Sequence, residues 1–402
     1  MDLNQTPRAN RLHIGFYGRR NSGKSSLINA FTGQEISIVS DVPGTTTDPV
    51  YKAMEIKGLG PVTLIDTAGF DDVGDLGDSR VKKTEAAAQK TDIAVLLFSG
   101  LDMKEEIFWF DYFKKRQTPV IPVISRVDER SRRQEKLDLI ELSEQVAAKT
   151  GRQPIRISAV QGKGIDELRE ALIQAMPDDA EKPSITGQLA KAGDTVMLVM
   201  PQDIQAPKGR LILPQVQTIR ELLDKDCLVV CVTPAQLKNA LTNLTKAPEL
   251  IISDSQIFAE VSALKPADSR LTSFSVLFAG YKGDLQYYTE SVSAISKLTE
   301  QSKVLIAECC THAPLTEDIG RVKIPALLRK KIGSALKVDV LSGSDFPDDL
   351  SVYDLIIQCG ACMFNRKYVM ARVNQAKQQG VPMTNYGIVM AYFSGILEQI
   401  AL

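Results

Sequence analysis

The sequence predicts an α/β protein of three domains, the first on a mixed sheet and the next two on mainly parallel sheets. Three observations predict it. An apolar run, "HIGFY", leads straight into "GRRNSGKSSLINAFTG", the strand, glycine loop and amphipathic helix of a phosphate-binding domain. Beyond residue 194, short apolar runs alternate with helical stretches, which is the pattern of parallel strands joined by crossover helices. Between these regions the charged, turn-rich "PDDAEKPSITGQLAKAGD" reads as a break between cores. A chain of 402 residues is also too long for one ordinary core. The expected boundaries are a flexible N-terminus over 1–10, the phosphate-binding domain over 11–178, a linker over 179–194, an α/β segment over 195–268 and a last α/β domain over 269–402.

With 48 Lys+Arg against 49 Asp+Glu, 44% hydrophobic and 24% charged residues, the composition is that of a soluble globular protein. Such a balance argues against a nucleic-acid or membrane surface. The N-terminal "MDLNQTPRANR" lacks the apolar run of a secretory signal, and no stretch approaches the roughly 18 uncharged residues of a membrane span. A cytoplasmic location is expected. The 6 cysteines are then no disulfide scaffold, because that compartment keeps thiols reduced. They fall in pairs: Cys227 and Cys231, Cys309 and Cys310, Cys359 and Cys362.

The glycine loop fits G-x-x-x-x-G-K-S with Gly18, Gly23, Lys24 and Ser25, and Asn21, Ser22 and Ser26 belong to the same turn. Glycines let backbone N–H groups turn inward around the β-phosphate. Lys24 carries charge to the β- and γ-phosphates, and the Ser25 hydroxyl serves Mg2+. Downstream, the apolar strand of "VTLIDTAGF" ends in Asp66 to Gly69, where a carboxylate holds the metal through water and a glycine N–H meets the γ-phosphate. In the intervening polar loop "DVPGTTTDP", Thr46 or its neighbour Thr45 is a Mg2+ ligand that requires the γ-phosphate. Lys24, Thr46, Asp66 and Gly69 form the expected catalytic set. The strand "PVIPVISRVD" ends on Asp128, and "PIRISAV" on Ser158 and Ala159. An aspartate there accepts both N1–H and the 2-amino group of guanine, so the nucleotide is GTP or GDP and the first unit a P-loop GTPase domain.

This ordered set resembles the GTPases related to Era and the tRNA-modification GTPase MnmE over about residues 10–178. Such proteins usually carry Asn-Lys-x-Asp, where this chain has Ser125 and Arg126, so weaker guanine-nucleotide binding is expected. Phe70 comes after Gly69 and cannot orient a water as glutamine does, so hydrolysis needs another polarising group. Asn21 matches the asparagine that in MnmE-like proteins helps bind K+, and a cation there does the work of an arginine finger. Its plain alternative is a loop-capping residue. Slow turnover is expected.

The middle segment, with "TVMLVMP", "CLVVCVT" and "ELIISD" as strands, carries no phosphate loop and no acid–base constellation, and reads as an assembly module. Cys227 and Cys231, four apart in one strand, are expected on one face as small buried hydrophobes. The proline-bounded "DIQAPKGRLILPQ" is a candidate self-association loop.

In the last domain the strands "KVLIAE" and "YDLIIQ" each finish on cysteine. Carboxyl ends of parallel strands line one edge of an open α/β sheet, where ligands bind. Cys310 and the Cys359/Cys362 pair are therefore expected to meet, with Cys309 pointing away. The spacing of "CGAC" lets two thiolates reach one metal or cluster, or form a dithiol redox pair, and His312 beside Cys310 favours metal. A Cys3His zinc site and an iron–sulfur cluster both fit. His13 is read as structural.

The order of GTPase, α/β middle segment, Cys-x-His and distant Cys-x-x-Cys resembles HydF, the FeFe-hydrogenase maturation GTPases, over nearly the whole chain, carried by "APKGRLILPQ", "CTHAP" and "CGACMFNR". The resemblance implies a 4Fe-4S cluster on Cys310, Cys359 and Cys362. It also implies a homodimeric scaffold that holds a di-iron precursor made by radical-SAM maturases and delivers it to the hydrogenase apoprotein. The family's histidine just before Cys-x-x-Cys is Gln358 here, which leaves His312 and Glu308 as candidates for the fourth ligand. Two rival readings are an RNA-associated GTPase with a C-terminal zinc site and a redox sensor using Cys359 and Cys362 as a dithiol.

Overall fold

In the computed structural model, which describes residues 10–33, 49–70, 83–129, 133–176, 184–202, 211–308, 319–343, 345–361 and 364–401, the first apolar run forms β1 (Leu12–Gly18), buried from His13 onward. The expected N-terminal stretch lies, up to residue 9, outside the described residues. The chain divides into two compact units, residues 1–181 and 182–402.

The first unit is built on six strands in the order β2-β3-β1-β4-β5-β6. The other five are β2 (Val50–Ile56), β3 (Gly60–Asp66), β4 (Ile93–Phe98), β5 (Val120–Ile124) and β6 (Ile155–Arg156). Only β2 runs antiparallel, against β3, so the sheet is mixed as expected. Its helices are α1 (Lys24–Thr32), α2 (residues 83–88), α3 (Lys104–Lys115), α4 (Arg133–Thr150) and α5 (Ile165–Gln174). β4 is buried at every position because both sheet faces are covered. Val95 and Leu97 pack with Leu27, Ile28 and Leu168, whereas Leu96 and Phe98 pack with Trp109, Phe113 and Val146.

The second unit holds two four-stranded sheets, parallel throughout. The middle sheet, in the order β10-β9-β7-β8, consists of β7 (Thr195–Val199), β8 (Leu228–Val232), β9 (Leu250–Ser253) and β10 (Arg270–Ser273). It carries α6 (Leu213–Asp224), α7 (Leu237–Asn243) and α8 (Phe258–Leu264). The helix α9 (Phe274–Lys282) then serves both halves: Phe274, Leu277 and Phe278 pack on the middle core, and Val276 and Ala279 on the last one. After α10 (Leu285–Ser291), the last sheet, in the order β12-β11-β13-β14, takes β11 (Lys303–Ala307), β12 (Lys337–Leu341), β13 (Leu355–Gln358) and β14 (Met383–Asn385). Its remaining helices are α11 (Ile324–Ile332), α12 (Arg366–Gln378) and α13 (Tyr386–Phe393).

Two expected boundaries move. Residues 184–194, read as linker, belong to the middle fold, with Ile185 and Ala190 in its core and Thr186 buried. The middle sheet also continues past residue 268, because β10 pairs along β9 from Arg270 to Ser273.

Candidate nucleotide site and cysteine edge

All described members of the expected nucleotide site lie at the carboxyl edge of the first sheet. After β1 the chain turns through Asn21, whose φ is 57°, and Gly23, whose φ is 90°, before α1 begins at Lys24. The buried Lys24 ammonium donates to the carbonyls of Gly18 (2.9 Å) and Arg19 (2.8 Å), inside the loop. Ser25 Oγ donates to Asp66 Oδ2 at 2.7 Å, which joins the two residues expected to serve Mg2+. Gly69 presses on the loop: a Cβ there would lie 2.6 Å from the Arg20 nitrogen, so only glycine lets β3's end approach so closely. The Phe70 ring is buried and stacks on Trp109, turned away from any water-orienting role. Ser26 lies in the first turn of α1, half-buried. Thr45 and Thr46 lie outside the described residues.

On the guanine side, Asp128 sits in a short helical turn (Val127–Glu129) after β5. The amide of Val127 donates to Ile157 O at 3.3 Å, which brings the Asp128 turn beside buried Ser158 and half-buried Ala159. Ser125 is buried, and its hydroxyl donates to the carbonyl of Ser22 in the phosphate loop. Sequence reasoning did not anticipate this bond, nor the one that pins Arg19, next to the loop's first glycine. Arg19 Nε lies 3.0 Å from Glu106 Oε1, and its Nη2 donates to Asp102 O at 2.6 Å. Burial pushes the fully buried Glu106 carboxyl up, and the residue's own backbone amide and Arg19 oppose that. A signal was present: Glu106, Trp109, Phe110 and Phe113 share one helix face, and a carboxylate among aromatics demands an internal cation.

In the second unit, β11 and β13 are hydrogen-bonded neighbours with Ala307 opposite Gln358. The amide of Cys359 donates to Ala307 O at 3.0 Å, and that of Glu308 to Leu341 O at 2.8 Å, so Glu308 and Cys359 leave the sheet side by side. Cys359 is buried among Ala361, Val369, Phe364 and Tyr386, and its Sγ accepts the Ala361 N–H at 3.4 Å across a turn in which Ala361 has φ 50°. Glu308 Oε2 accepts from Arg321 Nε (3.0 Å) and Nη2 (2.8 Å) and from Ser342 Oγ (2.9 Å). Gln358 is fully buried. Cys309, Cys310, His312 and Cys362 lie outside the described residues, and among the described residues no three metal-ligating side chains converge.

The middle cysteines differ from each other. Cys227 is buried and its thiol donates to Lys191 O at 3.3 Å, but Cys231, in the outer strand β8, is exposed. The expectation of two buried thiols holds only for the first. Desolvation raises both thiols, which keeps them protonated and poor ligands near neutrality. His13, the second residue of β1, donates its amide to Asp92 Oδ2 (2.8 Å), at the end of the strand away from the loop. No helix among the described residues is long and apolar enough to cross a membrane.

Comparison with known proteins follows the same division. Residues 13–126 match the family model of the 50S ribosome-binding GTPases, 185–283 that of the hydrogen maturase F dimerization domain, and 286–401 that of the hydrogen maturase F tetramerization domain. The tRNA modification GTPase MnmE of Synechococcus sp. (strain JA-3-3Ab) is 34% identical over 208 residues, which is 50% of this chain and 42% of that protein. MnmE of Nitrosomonas europaea is 35% identical over 159 residues, 39% of this chain and 33% of that protein. GTPase Der of Wolinella succinogenes is 35% identical over 170 residues, 40% of this chain and 35% of that protein. The chain thus spans less than half the length of these relatives. Beyond the GTPase region lie the two oligomerising domains, and the chain belongs to the hydrogen maturase F (HydF) family, with a GTPase domain of the TrmE-Era type.

Proposed function

We propose that this HydF-type GTPase hydrolyses GTP slowly and serves as a scaffold: it holds a 4Fe-4S cluster on Cys310, Cys359 and Cys362, receives a di-iron precursor from radical-SAM maturases as its substrate, and delivers it to the FeFe-hydrogenase apoprotein. The observation that carries this reading is the pairing of Cys359 N with Ala307 O, which sets the end of β13 against the end of β11, three residues before Cys310. Cys359 itself fits such a group. Its sulfur accepts a backbone N–H, the contact that stabilises a thiolate ligand of an iron–sulfur cluster, and the apolar side chains around it limit the access of water. With three thiolates bound, the cluster would supply one exchangeable iron position. Glu308 Oε2 is engaged by Arg321 and Ser342, which favours His312 as the weak ligand there.

On the nucleotide side, Lys24 neutralises the β- and γ-phosphates, Ser25 and Thr46 hold Mg2+ with Asp66 behind it, and the Gly69 N–H meets the γ-phosphate. Gly18, Asn21, Ser22, Gly23 and Ser26 wrap the phosphates, and Asp128, Ser158 and Ala159 read guanine. Because Phe70 is packed inward, charge compensation falls to K+ beside Asn21. The GTP state shifts partner affinity through the switch loops, a coupling of about 1–3 kcal/mol. Self-association runs through β8, which among the described residues pairs only with β7, exposes Leu228 and Cys231, and shows no counterpart of the Leu271–Ile400 bridge on β10 at the opposite edge.

Anaerobic reconstitution with ferrous iron and sulfide tests the scaffold reading. A brown protein that loses its iron in Cys359→Ser, with GTP turnover intact, is the expected result. A colourless protein with stoichiometric zinc would instead favour the zinc-site rival.

A further inference from the structure

The Lys24 ammonium donates to two loop carbonyls, and the nearer one, Arg19 O at 2.8 Å, belongs to a residue whose own side chain leaves the loop. Arg19 reaches α3 and the turn before it. Its Nε donates to Glu106 Oε2 at 3.2 Å and lies 3.0 Å from Oε1, and its Nη2 donates to Asp102 O at 2.6 Å. Glu106 is 0% exposed, so water does not compete for the oxygens that hold the guanidinium. The helix is a fixed support. One turn beyond Glu106, Trp109 packs with Phe110 and Phe113 in the core around β4, and Phe70, the residue after Gly69, stacks on Trp109 at 6.1 Å. Gly69 in turn abuts the Arg20 nitrogen. Both segments expected to bracket the γ-phosphate are thus fastened to one helix.

We propose that Arg19, anchored by Glu106, is a positioning residue for GTP hydrolysis: it fixes the carbonyl that aims the Lys24 ammonium at the β- and γ-phosphates. The inference rests on the role given to Lys24 above. An ammonium is a point charge on a flexible stem, and the acceptors around it decide where it lies. The charge it meets on the phosphates is redistributed in the transition state, so a displaced ammonium loses more there than with bound GTP. Loss of the anchor therefore lowers kcat more than it raises KM.

The test is steady-state GTP hydrolysis by the full-length protein at saturating Mg2+ and K+. Arg19→Met, Glu106→Met and the double variant Arg19→Met/Glu106→Met are compared with wild type, and Lys24→Ala serves as reference. Arg19→Met should lose roughly tenfold in kcat, less than deletion of a transition-state donor costs, with KM changed by less than about threefold. Glu106→Met leaves Arg19 its bond to Asp102 O and should lose less. A rate at or above wild type in Glu106→Met overturns the proposal. Arg19→Met also strands a buried acid without its cation, whereas the double variant replaces the pair by apolar side chains of similar length. If Arg19→Met fails to fold by circular dichroism, the double variant decides. A melting temperature near wild type with kcat still roughly tenfold down supports the proposal. Recovery of kcat together with the melting temperature overturns it, since the pair would then serve the fold alone. Lys24→Ala that hydrolyses GTP at the wild-type rate overturns the reading of Lys24 and this inference with it. An inactive Lys24→Ala beside an unimpaired Arg19→Met overturns the inference alone.

Discussion

Ser125 stands where related GTPases carry asparagine, and its hydroxyl reaches the Ser22 carbonyl across 103 positions of sequence. A serine hydroxyl thus ties the guanine loop to the phosphate loop in this chain. Arg126, exposed in left-handed backbone with φ 59°, comes next, at the position of the usual lysine. Ser125→Ala leaves the buried Ser22 carbonyl without this donor, a loss of about 1 kcal/mol. GDP should then dissociate roughly five- to tenfold faster in a fluorescent-nucleotide release assay. Release at the wild-type rate would show that the bond is incidental to nucleotide holding. Arg19 and Glu106 show how a similar pin escapes sequence reading: the carboxylate was visible as an oddity on an aromatic face, but nothing in the sequence says which of many arginines meets it.

At the scale of elements, the turn-rich composition of 184–194 suggested a linker, and one carboxylate on α6 makes it part of a domain. Glu221 accepts from the amides of Ile185 (2.5 Å) and Thr186 (2.8 Å) and from the hydroxyls of Thr186 (2.7 Å) and Ser184 (2.9 Å). Burial by itself pushes the Glu221 carboxyl up, but these donors more than offset it and hold the value below the ordinary 4.5. A carboxylate depressed in the folded state stabilises fully above its unfolded value, and that contribution disappears as pH falls through the folded one. Glu221→Gln should therefore lower stability near pH 7 by about 1–2 kcal/mol and flatten the loss of stability at acid pH. Urea midpoints between about pH 3 and pH 7 check both effects, and parallel curves for the two proteins would contradict the assignment. The Cys231 correction has the same origin. Period-two alternation places Cys227 and Cys231 on one face, but whether a face is covered depends on neighbours that the strand's own sequence does not name.

For the whole molecule, two properties matter: the apolar strand β8, which among the described strands pairs only with β7, and a shared helix. The Leu228 amide donates inward to Asp194 O at 2.9 Å, so by alternation the Val229 and Cys231 amides face outward along β8. Cys231→Pro removes one outward donor and leaves the β7–β8 ladder intact. If β8 pairs between copies, this variant should sediment as a smaller species than wild type, with unchanged circular dichroism. An unaltered oligomer would move the interface elsewhere. The helix α9, meanwhile, packs on both cores of the second unit, so displacement of the middle sheet has a direct path to Phe364 and the cysteine loop through Lys282.

The phosphate loop, the guanine-reading aspartate and the parallel alternation of the second half were legible in the sequence, because each is a contiguous stretch whose local chemistry admits few conformations. The pairing of β11 with β13 was legible too, once both were read as strands ending on cysteine. Only the tertiary structure decided that Ser125 ties the guanine loop to Ser22, that Glu221 folds a supposed linker, that Cys231 is exposed, and that Lys282 is buried against Phe364. Each of these depends on which groups meet across long stretches of chain. Burial and hydrogen-bond partnership belong to pairs of segments, and composition and periodicity describe one segment at a time.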